Sequence, residues 1–206
     1  LWLNLVTNGI QDVSLAFEGR RGDELRAPPR SPGEPLFDRL MLERVLLGGT
    51  WMAVLGFAVY AWLLESGVAV WQARNTLMLL MVLLQNVDTF NARSETVSAF
   101  RMPLARNPLL VAGVTTALLL HVGALHVPPL QHLLEFGPVA AVTWLWLGPA
   151  ALSLLLVMEL HKTSWRRRTG SRTQPREYAG PTMASPGPAD RTLPAAPPSR
   201  GSPGQA

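Results

Sequence analysis

The chain has 206 residues, of which 48% are hydrophobic and only 16% are charged, against about 25% charged residues in an ordinary soluble domain. It contains no cysteine, which excludes a disulfide scaffold and a cysteine-based metal site. Three stretches without a charged residue reach the length of about 20 residues that a membrane helix needs, at residues 45–64, 107–134 and 136–158. The composition therefore excludes a soluble globular enzyme and predicts a membrane protein.

The hydrophobic stretches predict an all-α membrane protein, a bundle of one truncated and four complete transmembrane helices. The first segment, Leu1–Phe17, is hydrophobic from its first residue, and we interpret it as the end of a membrane helix in a fragment. Helices are expected because a bilayer offers no water to unpaired backbone groups. The four complete spans are predicted at Val45–Leu64, Asn75–Ala92, Asn107–Val127 and Gly137–Leu160.

Basic residues are distributed unevenly between the two sides of the predicted bundle. Seventeen of the 18 Lys and Arg residues lie in the loop before the second segment, the loop after the third and the C-terminal tail, whereas the other loops contain only Arg74. Because Lys and Arg concentrate in cytoplasmic loops, this distribution predicts a cytoplasmic C-terminus. The same distribution explains the net charge of +4 as a signal of membrane orientation. The lipid bilayer is therefore an expected partner, and nucleic acid is not.

The C-terminal part differs from the rest of the chain in composition. Residues 1–162 are predicted to form the membrane domain, and residues 163–206 a disordered, basic, Pro-rich cytoplasmic tail, because this part has little apolar surface to bury. Trp165 is followed by three arginines, a pattern that suits contact with anionic headgroups. A simple flank of the last helix is the alternative.

Polar side chains inside a membrane span point to function, and the first segment contains a stripe of them. The spacing of Asn4, Thr7, Asn8, Gln11 and Asp12 predicts that all five lie on one helical face. Such a face must contact other helices or a polar path, because exposure to lipid is costly. Hydrogen bonding between helices without a transport role is the alternative.

Two further features lie near such stripes. Gly9 follows Asn8 and would let the helix unwind, which frees carbonyl oxygens for a cation; close packing of a neighbouring helix is the alternative. The third span ends with Gln85, Asp88 and Thr89 at helical spacing. For Asp88, an ordinary charge at the cytoplasmic end of the helix is the alternative to a ligand.

Several short motifs, in order along the chain, carry a resemblance to a known family. Leu3–Gly9 resembles the sixth transmembrane helix of P-type cation-transporting ATPases, in the calcium-pump branch, which has Asn-Leu-Val-Thr-Asp-Gly there. Pro28–Leu36 resembles the loop between helices six and seven. The likeness covers roughly residues 1–162, and its other matches are Gly48-Gly49, Ala73-Arg74-Asn75-Thr76, Asn91, Ser94-Glu95 and Arg101-Met102-Pro103.

The resemblance implies helices six to ten of a ten-helix pump that forms an aspartyl phosphate from ATP and Mg²⁺. The family's Asp-Lys-Thr-Gly-Thr, Thr-Gly-Glu and Gly-Asp-Gly-x-Asn-Asp motifs do not occur in these 206 residues. We therefore expect no cofactor in this chain and leave its own enzymatic activity open. The expected partners are the N-terminal part of the pump, with helices one to five and the cytosolic domains, and a transported cation.

The sequence also indicates a cellular location and an alternative role for the protein. One Lys against 17 Arg is typical of a G+C-rich coding sequence, which favours a bacterial cell membrane. A separately encoded, pump-derived membrane scaffold or accessory protein, without transport activity of its own, is the alternative to part of a pump.

The resemblance also implies a cation site. Asn4, Thr7 and Asn8 fall on the cation ligands of the sixth helix, and Gln85 falls where the calcium pump has a Glu on the eighth. Asn8 stands where that branch has an Asp, so two acids are replaced by amides, although a hard divalent cation prefers charged oxygens. One turn nearer the cytoplasm, Asp12 and Asp88 are predicted to restore part of this charge, or alternatively are solvated end charges. The candidate ligands are Asn4, Thr7, Asn8, Asp12, Gln85 and Asp88.

Overall fold

A computed structural model describes residues 1–19 and 37–170, and the elements in these ranges are all helical. The first helix has a π-helical turn at Asn4–Asn8 followed by α1 at Gly9–Ala16. Short 3₁₀ turns at Ala99–Arg101 and Leu104–Arg106 lie in the connection between α3 and α4. The remaining helices are α2 (Arg39–Glu65), α3 (Val70–Ala92), α4 (Pro108–His126), α5 (Pro128–Leu134) and α6 (Ala141–Gly170). The predicted all-α membrane fold is confirmed.

Among the described residues, α2, α4 and α6 are long and apolar enough to cross a membrane. The predicted span at Asn75–Ala92 belongs to α3, which has the length, at 23 residues, but not the apolar composition. Helix α3 contacts α1, α2, α4 and α6, and ten of its residues are buried. Its buried polar side chains, which include Asn75, Thr76, Asn86, Thr89 and Asn91, are therefore covered by other helices.

The core of the described bundle lies between α3 and α6. Leu79, Leu80 and Leu84 of α3 are fully buried against Leu147 and Leu154 of α6. Burial of a leucine side chain contributes about 2 kcal/mol in water, but inside a bilayer close packing rather than water exclusion holds such helices together. The α3–α6 pair therefore provides a fixed frame against which α1 and α2 are placed.

The last helix corrects the predicted boundary at Lys162. Helix α6 continues to Gly170, so residues 163–170 are helical rather than disordered. Lys162 is buried and donates to the carbonyl oxygen of Asn91 at 3.2 Å and to Glu159 Oε1 at 3.4 Å. These contacts hold the helix against the end of α3. The predicted disordered tail beyond residue 170 and the motif Pro28–Leu36 lie outside the described residues.

The end of α1 is fastened to the α3–α4 connection by a buried ion pair. Arg93 binds both carboxylate oxygens of Glu18 at 2.9 and 3.0 Å, and it also donates to the carbonyl oxygens of Met102 and Pro103, each at 3.1 Å. The Arg93 side chain is 2% exposed and that of Glu18 is 17% exposed. Asn107 donates to Glu18 Oε2 at 3.1 Å. The hydrogen bond from Arg93 lowers the pKa of the Glu18 carboxyl, although burial opposes this shift.

Helix α1 also packs closely against α4 at a glycine. A Cβ atom placed on Gly113 would lie 2.5 Å from Ser14 Oγ and 3.4 Å from Ile10 Cγ2. Ser14 Oγ in turn donates to the carbonyl oxygen of Ile10 at 2.7 Å. Small residues at such crossings let two membrane helices approach each other closely. The absence of a side chain at Gly113 therefore sets the separation of α1 and α4.

We predict that Glu18→Gln lowers the free energy of unfolding by about 3 kcal/mol, because a neutral amide replaces the carboxylate that binds the buried Arg93 guanidinium. Thermal unfolding of the detergent-solubilised protein measures this. Arg74→Gln, which breaks a pair exposed at 63% and 78%, is the control and should change stability by less than about 1 kcal/mol. Equal effects of the two variants would contradict the prediction.

The same pair predicts a pH dependence. Because the folded-state pKa of Glu18 is lowered from its ordinary value of 4.5, its charged form stabilises the fold above that pH, and the contribution disappears as the pH falls through the lowered value. The stability difference between wild type and Glu18→Gln should therefore be full near neutral pH and shrink in acid. A difference that stays constant down to the acid limit would contradict this.

We further predict that Gly113→Ala lowers the free energy of unfolding by about 1–2 kcal/mol, because the added methyl group forces Ser14 or α1 to move. Gly123→Ala in the same helix is the control, since a Cβ atom there has no neighbour within 4 Å. Adding Ser14→Ala to Gly113→Ala should recover part of the loss by removing the nearest atom. No recovery in the double variant would contradict a clash at Ser14.

Candidate cation site between α1 and α3

The polar residues of the first helix form two neighbouring rows that differ in burial. Thr7 and Gln11 are buried, at 0% and 2% exposure, and contact α3, whereas Asn4, Asn8 and Asp12 are exposed. The predicted stripe therefore consists of a buried and an exposed part. We call the row of Thr7 and Gln11 the inner face, and the row of residues spaced by four from Asn4 the outer face.

The helix does not unwind at Gly9, so this prediction is wrong. Gly9 has helical φ and ψ of −60° and −33°, and its N–H donates to the carbonyl oxygen of Asn4, which closes the π-helical turn. The alternative, close packing of a neighbouring helix at Gly9, is not seen among the described residues, where the nearest atom to a Cβ is the Asn4 carbonyl oxygen of the same turn. The irregularity takes the form of a wider turn with its backbone groups still paired, a feature frequent at functional sites.

Thr7 lies at the centre of a group of oxygen atoms. Its Oγ1 is 2.6 Å from the carbonyl oxygen of Leu3 and 3.3 Å from Asn8 Oδ1, and it also contacts Gln85 Oε1 of α3. Asn8 Nδ2 donates to Asn4 Oδ1 at 3.3 Å, which turns the Asn8 oxygen toward Thr7. Four predicted ligands, Asn4, Thr7, Asn8 and Gln85, are thus connected in one group.

One turn further along, Gln11 connects α1 to α3. Its Nε2 donates to Asn86 Oδ1 at 2.5 Å, and its Oε1 accepts a hydrogen bond from Thr89 Oγ1, also at 2.5 Å. Asn86 and Thr89 are themselves buried. Both ends of the Gln11 amide are therefore held by α3.

A cavity of about 180 Å³ lies between these two helices and α2. Four of the six predicted ligands line it: Asn8, Asp12, Gln85 and Asp88. Thr7 is not a lining residue but contacts Gln85, which is one. Asn4 is connected to the cavity through its hydrogen bond with the lining residue Asn8. The other lining residues are Gln11, Leu15, Met52, Thr89 and Ala92.

Two carboxylates therefore meet at one cavity. Asp12 of α1 is exposed on the outer face, and Asp88 of α3 is partly buried, with Asn91 Nδ2 at 3.5 Å from its Oδ1. Within the described residues, no group of three or more His, Cys, Asp or Glu side chains could hold a metal ion. A cation here would need hydroxyl and amide oxygens in addition to the two carboxylates.

Sequence reasoning did not select Gln11 and Thr89, although both belong to its stripes. The structure joins them to each other across the helix interface, at the level of the cavity. The signal in the sequence is the spacing of Thr7, Gln11 and Ser14, by four and then three residues, which separates an inner face from that of Asn4 and its neighbours.

Comparison with known proteins gives the family. Residues 1–164 match the model of a family described as "Cation transporting ATPase, C-terminus". A probable cation-transporting ATPase F of Mycobacterium tuberculosis is 26% identical over 158 residues, which are 77% of this chain and 18% of that relative. Calcium-transporting ATPase type 2C member 2 of Mus musculus is 28% identical over 165 residues, 79% of this chain and 17% of the relative.

A third relative has a comparable name and a comparable identity to this chain. The endoplasmic reticulum calcium ATPase srcA of Aspergillus fumigatus is 25% identical over 198 residues, 81% of this chain and 20% of the relative. The chain spans at most about a fifth of the length of these relatives. With its apolar helices and a family match over most of its length, it is an integral membrane chain that belongs to the family of C-terminal domains of cation-transporting ATPases.

Proposed function

We propose that this chain forms the C-terminal half of the membrane region of an ATP-driven, P-type cation pump, and that it supplies part of the cation transport site. The observation that supports this most directly is the meeting of Asn8, Asp12, Gln85 and Asp88, from two helices, at one cavity between α1, α2 and α3. These are oxygen-bearing side chains of the kind that bind hard cations.

The oxygen group around Thr7 supports a cation in the same place. The hydroxyl has one hydrogen, but three other oxygens lie around it, from Leu3, Asn8 and Gln85. The hydroxyl donates to one of them and can accept from an amide group, so the group brings a backbone carbonyl, a hydroxyl and two amide side chains close together. Their oxygens are neutral ligands that could bind a cation together with the carboxylates.

The summed charge of the candidate ligands favours a single bound cation of low charge. Asn8 and Gln85 are neutral, and Asp12 and Asp88 contribute two negative charges on the cytoplasmic side of them. Two dehydrated divalent ions would bring four positive charges to a site with two carboxylates. A monovalent cation, or a single divalent one, fits this balance better.

The outer face of the first helix supports further membrane helices as partners. Asn4, Asn8 and Asp12 are exposed at the side of the described bundle, where contact with lipid would be costly. In the proposed pump the N-terminal part covers this face and completes the site. That part would also bind ATP and Mg²⁺ and carry the phosphorylated aspartate, whose motifs this chain lacks.

The orientation belongs to the same proposal. The basic residues place the α3–α4 connection and the C-terminus in the cytoplasm. The strong preference for Arg over Lys, together with the mycobacterial relative, supports a bacterial cell membrane.

The cation site is tested by Asp12→Asn and Asp88→Asn in the full protein encoded by the gene. Each should raise the cation concentration for half-maximal phosphorylation from ATP by about tenfold, which corresponds to about 1.4 kcal/mol of lost binding energy. Glu95→Gln, an acid-to-amide change in the exposed α3–α4 connection, is the matched control and should leave that concentration within about twofold.

Two other results would change the proposal. Wild-type affinity in both Asp variants, with loss of affinity in Asn8→Ala, would leave a neutral site without the carboxylates. A full protein that shows no cation-dependent phosphorylation at all would refute the pump and favour the scaffold or accessory protein.

The orientation is tested by single cysteines in the otherwise cysteine-free chain. Ser66→Cys lies in the α2–α3 connection and Glu95→Cys in the α3–α4 connection, and both positions are exposed. In intact cells an impermeant thiol reagent should label the first and spare the second until the membrane is opened. The reverse pattern would refute the proposed orientation.

A further inference from the structure

We propose that Gln11 is a positioning residue that holds Asp12 opposite Asp88 by fastening α1 to α3, and that it thereby sets the affinity and ion preference of the cavity. This inference rests on the proposed cation site and adds a residue that no resemblance assigns to it. The argument depends on the contacts of Gln11, on its place in the helix and on the geometry that a cation requires.

The side-chain hydrogen bonds of Gln11 connect two helices, rather than leaving its amide oxygen available to a cation. Its amide nitrogen and amide oxygen both contact α3, through Asn86 and Thr89 at 2.5 Å each. The Thr89 hydroxyl also lies 2.8 Å from the carbonyl oxygen of Gln85, so its hydrogen is shared between Gln11 and its own helix. Two opposite bonds fix the plane of the amide group as well as its position. The side chain is 2% exposed, so these bonds are largely shielded from exchange with water.

The place of Gln11 makes this fastening relevant to the carboxylates. Asp12 is the next residue of α1, and Thr89 directly follows Asp88 in α3. The Gln11–Thr89 hydrogen bond therefore joins the immediate neighbours of the two carboxylates that line the cavity. In a helix, each residue advances the chain by about 1.5 Å and turns it by about 100°, so fixing Gln11 and Thr89 fixes the relative height and rotation of Asp12 and Asp88.

Cation binding is sensitive to such a displacement. Ligand oxygens lie within a narrow range of a bound ion, about 2.0–2.1 Å for Mg²⁺ and 2.3–2.6 Å for Ca²⁺. A helix shift of about one residue rise exceeds the difference between these two ions. Loss of the Gln11 fastening should therefore change both the affinity and the ratio of affinities for cations of different radius.

The position of α1 is measured by cross-linking, without any transport assay. Leu15 of α1 and Ala92 of α3 both line the cavity, and neither is a candidate ligand. With Leu15→Cys and Ala92→Cys as the only cysteines of this chain, a short bifunctional thiol reagent reports the approach of the two helices in the full protein in membranes. Gln11→Leu and Thr89→Val should each lower the cross-linking rate by about threefold or more, and the combined variant should lower it no further.

Two controls separate positioning from general damage. Thr89→Ser retains the hydroxyl donor and should restore the wild-type rate. Ser14→Ala alters a buried residue on the same inner face whose hydroxyl donates to Ile10 of its own helix, and it should cross-link like wild type. The pair Thr89→Val and Thr89→Ser keeps the test decisive even if Gln11→Leu does not fold.

The cation readout uses phosphorylation of the same variants with Ca²⁺, Mg²⁺ or Na⁺ as the added ion. Thr89→Val should change the half-saturating concentration by about fivefold for at least one ion, and should change the ratio between ions, while Thr89→Ser should not. Wild-type cross-linking in both Gln11→Leu and Thr89→Val, with cation-dependent phosphorylation intact, would overturn the role of Gln11. Altered cross-linking in a protein whose phosphorylation needs no cation would instead overturn the cation site on which the inference rests.

Discussion

The structure depends on one constraint, which is that polar side chains inside a membrane must be paired with other protein groups. Helix α3 contains Asn86 and Thr89 in its buried surface, both hydrogen-bonded to Gln11 of α1, and its composition alone would not favour a position in lipid. It is stable there because α1, α2, α4 and α6 surround it. The same pairing that shields α3 brings its amides and carboxylate against α1, so the requirement of stability and the assembly of the candidate site have one cause.

The two faces of the first helix have different roles: the inner face contacts neighbouring helices, and the outer face presents oxygen atoms to the cavity. The inner face uses Thr7 and Gln11 to contact α3, and Ser14 to pack on α4 at Gly113. The outer face presents Asn8 and Asp12 to the cavity and to the side of the bundle. A helix with such a division can keep its position through the inner bonds while the outer oxygens remain available to a ligand.

The sequence predicts the apolar helices and most of the residues that line the candidate site, because charge-free stretches and polar stripes are visible without a structure. Asp12 and Asp88 were paired by counting one turn from Asn8 and Gln85, and both line the cavity. The spacing of Thr7, Gln11 and Ser14 separates the two rows of the first helix, but which row is buried depends on contacts with α3 and α4 that local spacing does not show. The buried Arg93–Glu18 pair joins residues 75 positions apart, and no local pattern predicts such a contact. The helical extension past Lys162 was missed because its support comes from Asn91 of another helix.

The fastenings of the first helix determine what kind of motion this domain can transmit. Thr7 and Gln11 tie it to α3 within the membrane, and Glu18, with Asn107, ties its end to the α3–α4 connection. A helix held to the same neighbour at both ends resists sliding along it, because every bond would have to break together. Movement in the proposed pump is then easier at the outer face, where Asn4, Asn8 and Asp12 have no such bonds to α3 among the described residues. Opening and closing of the site would accordingly come from the helices that cover this face, with α1, α3 and α4 as the fixed half.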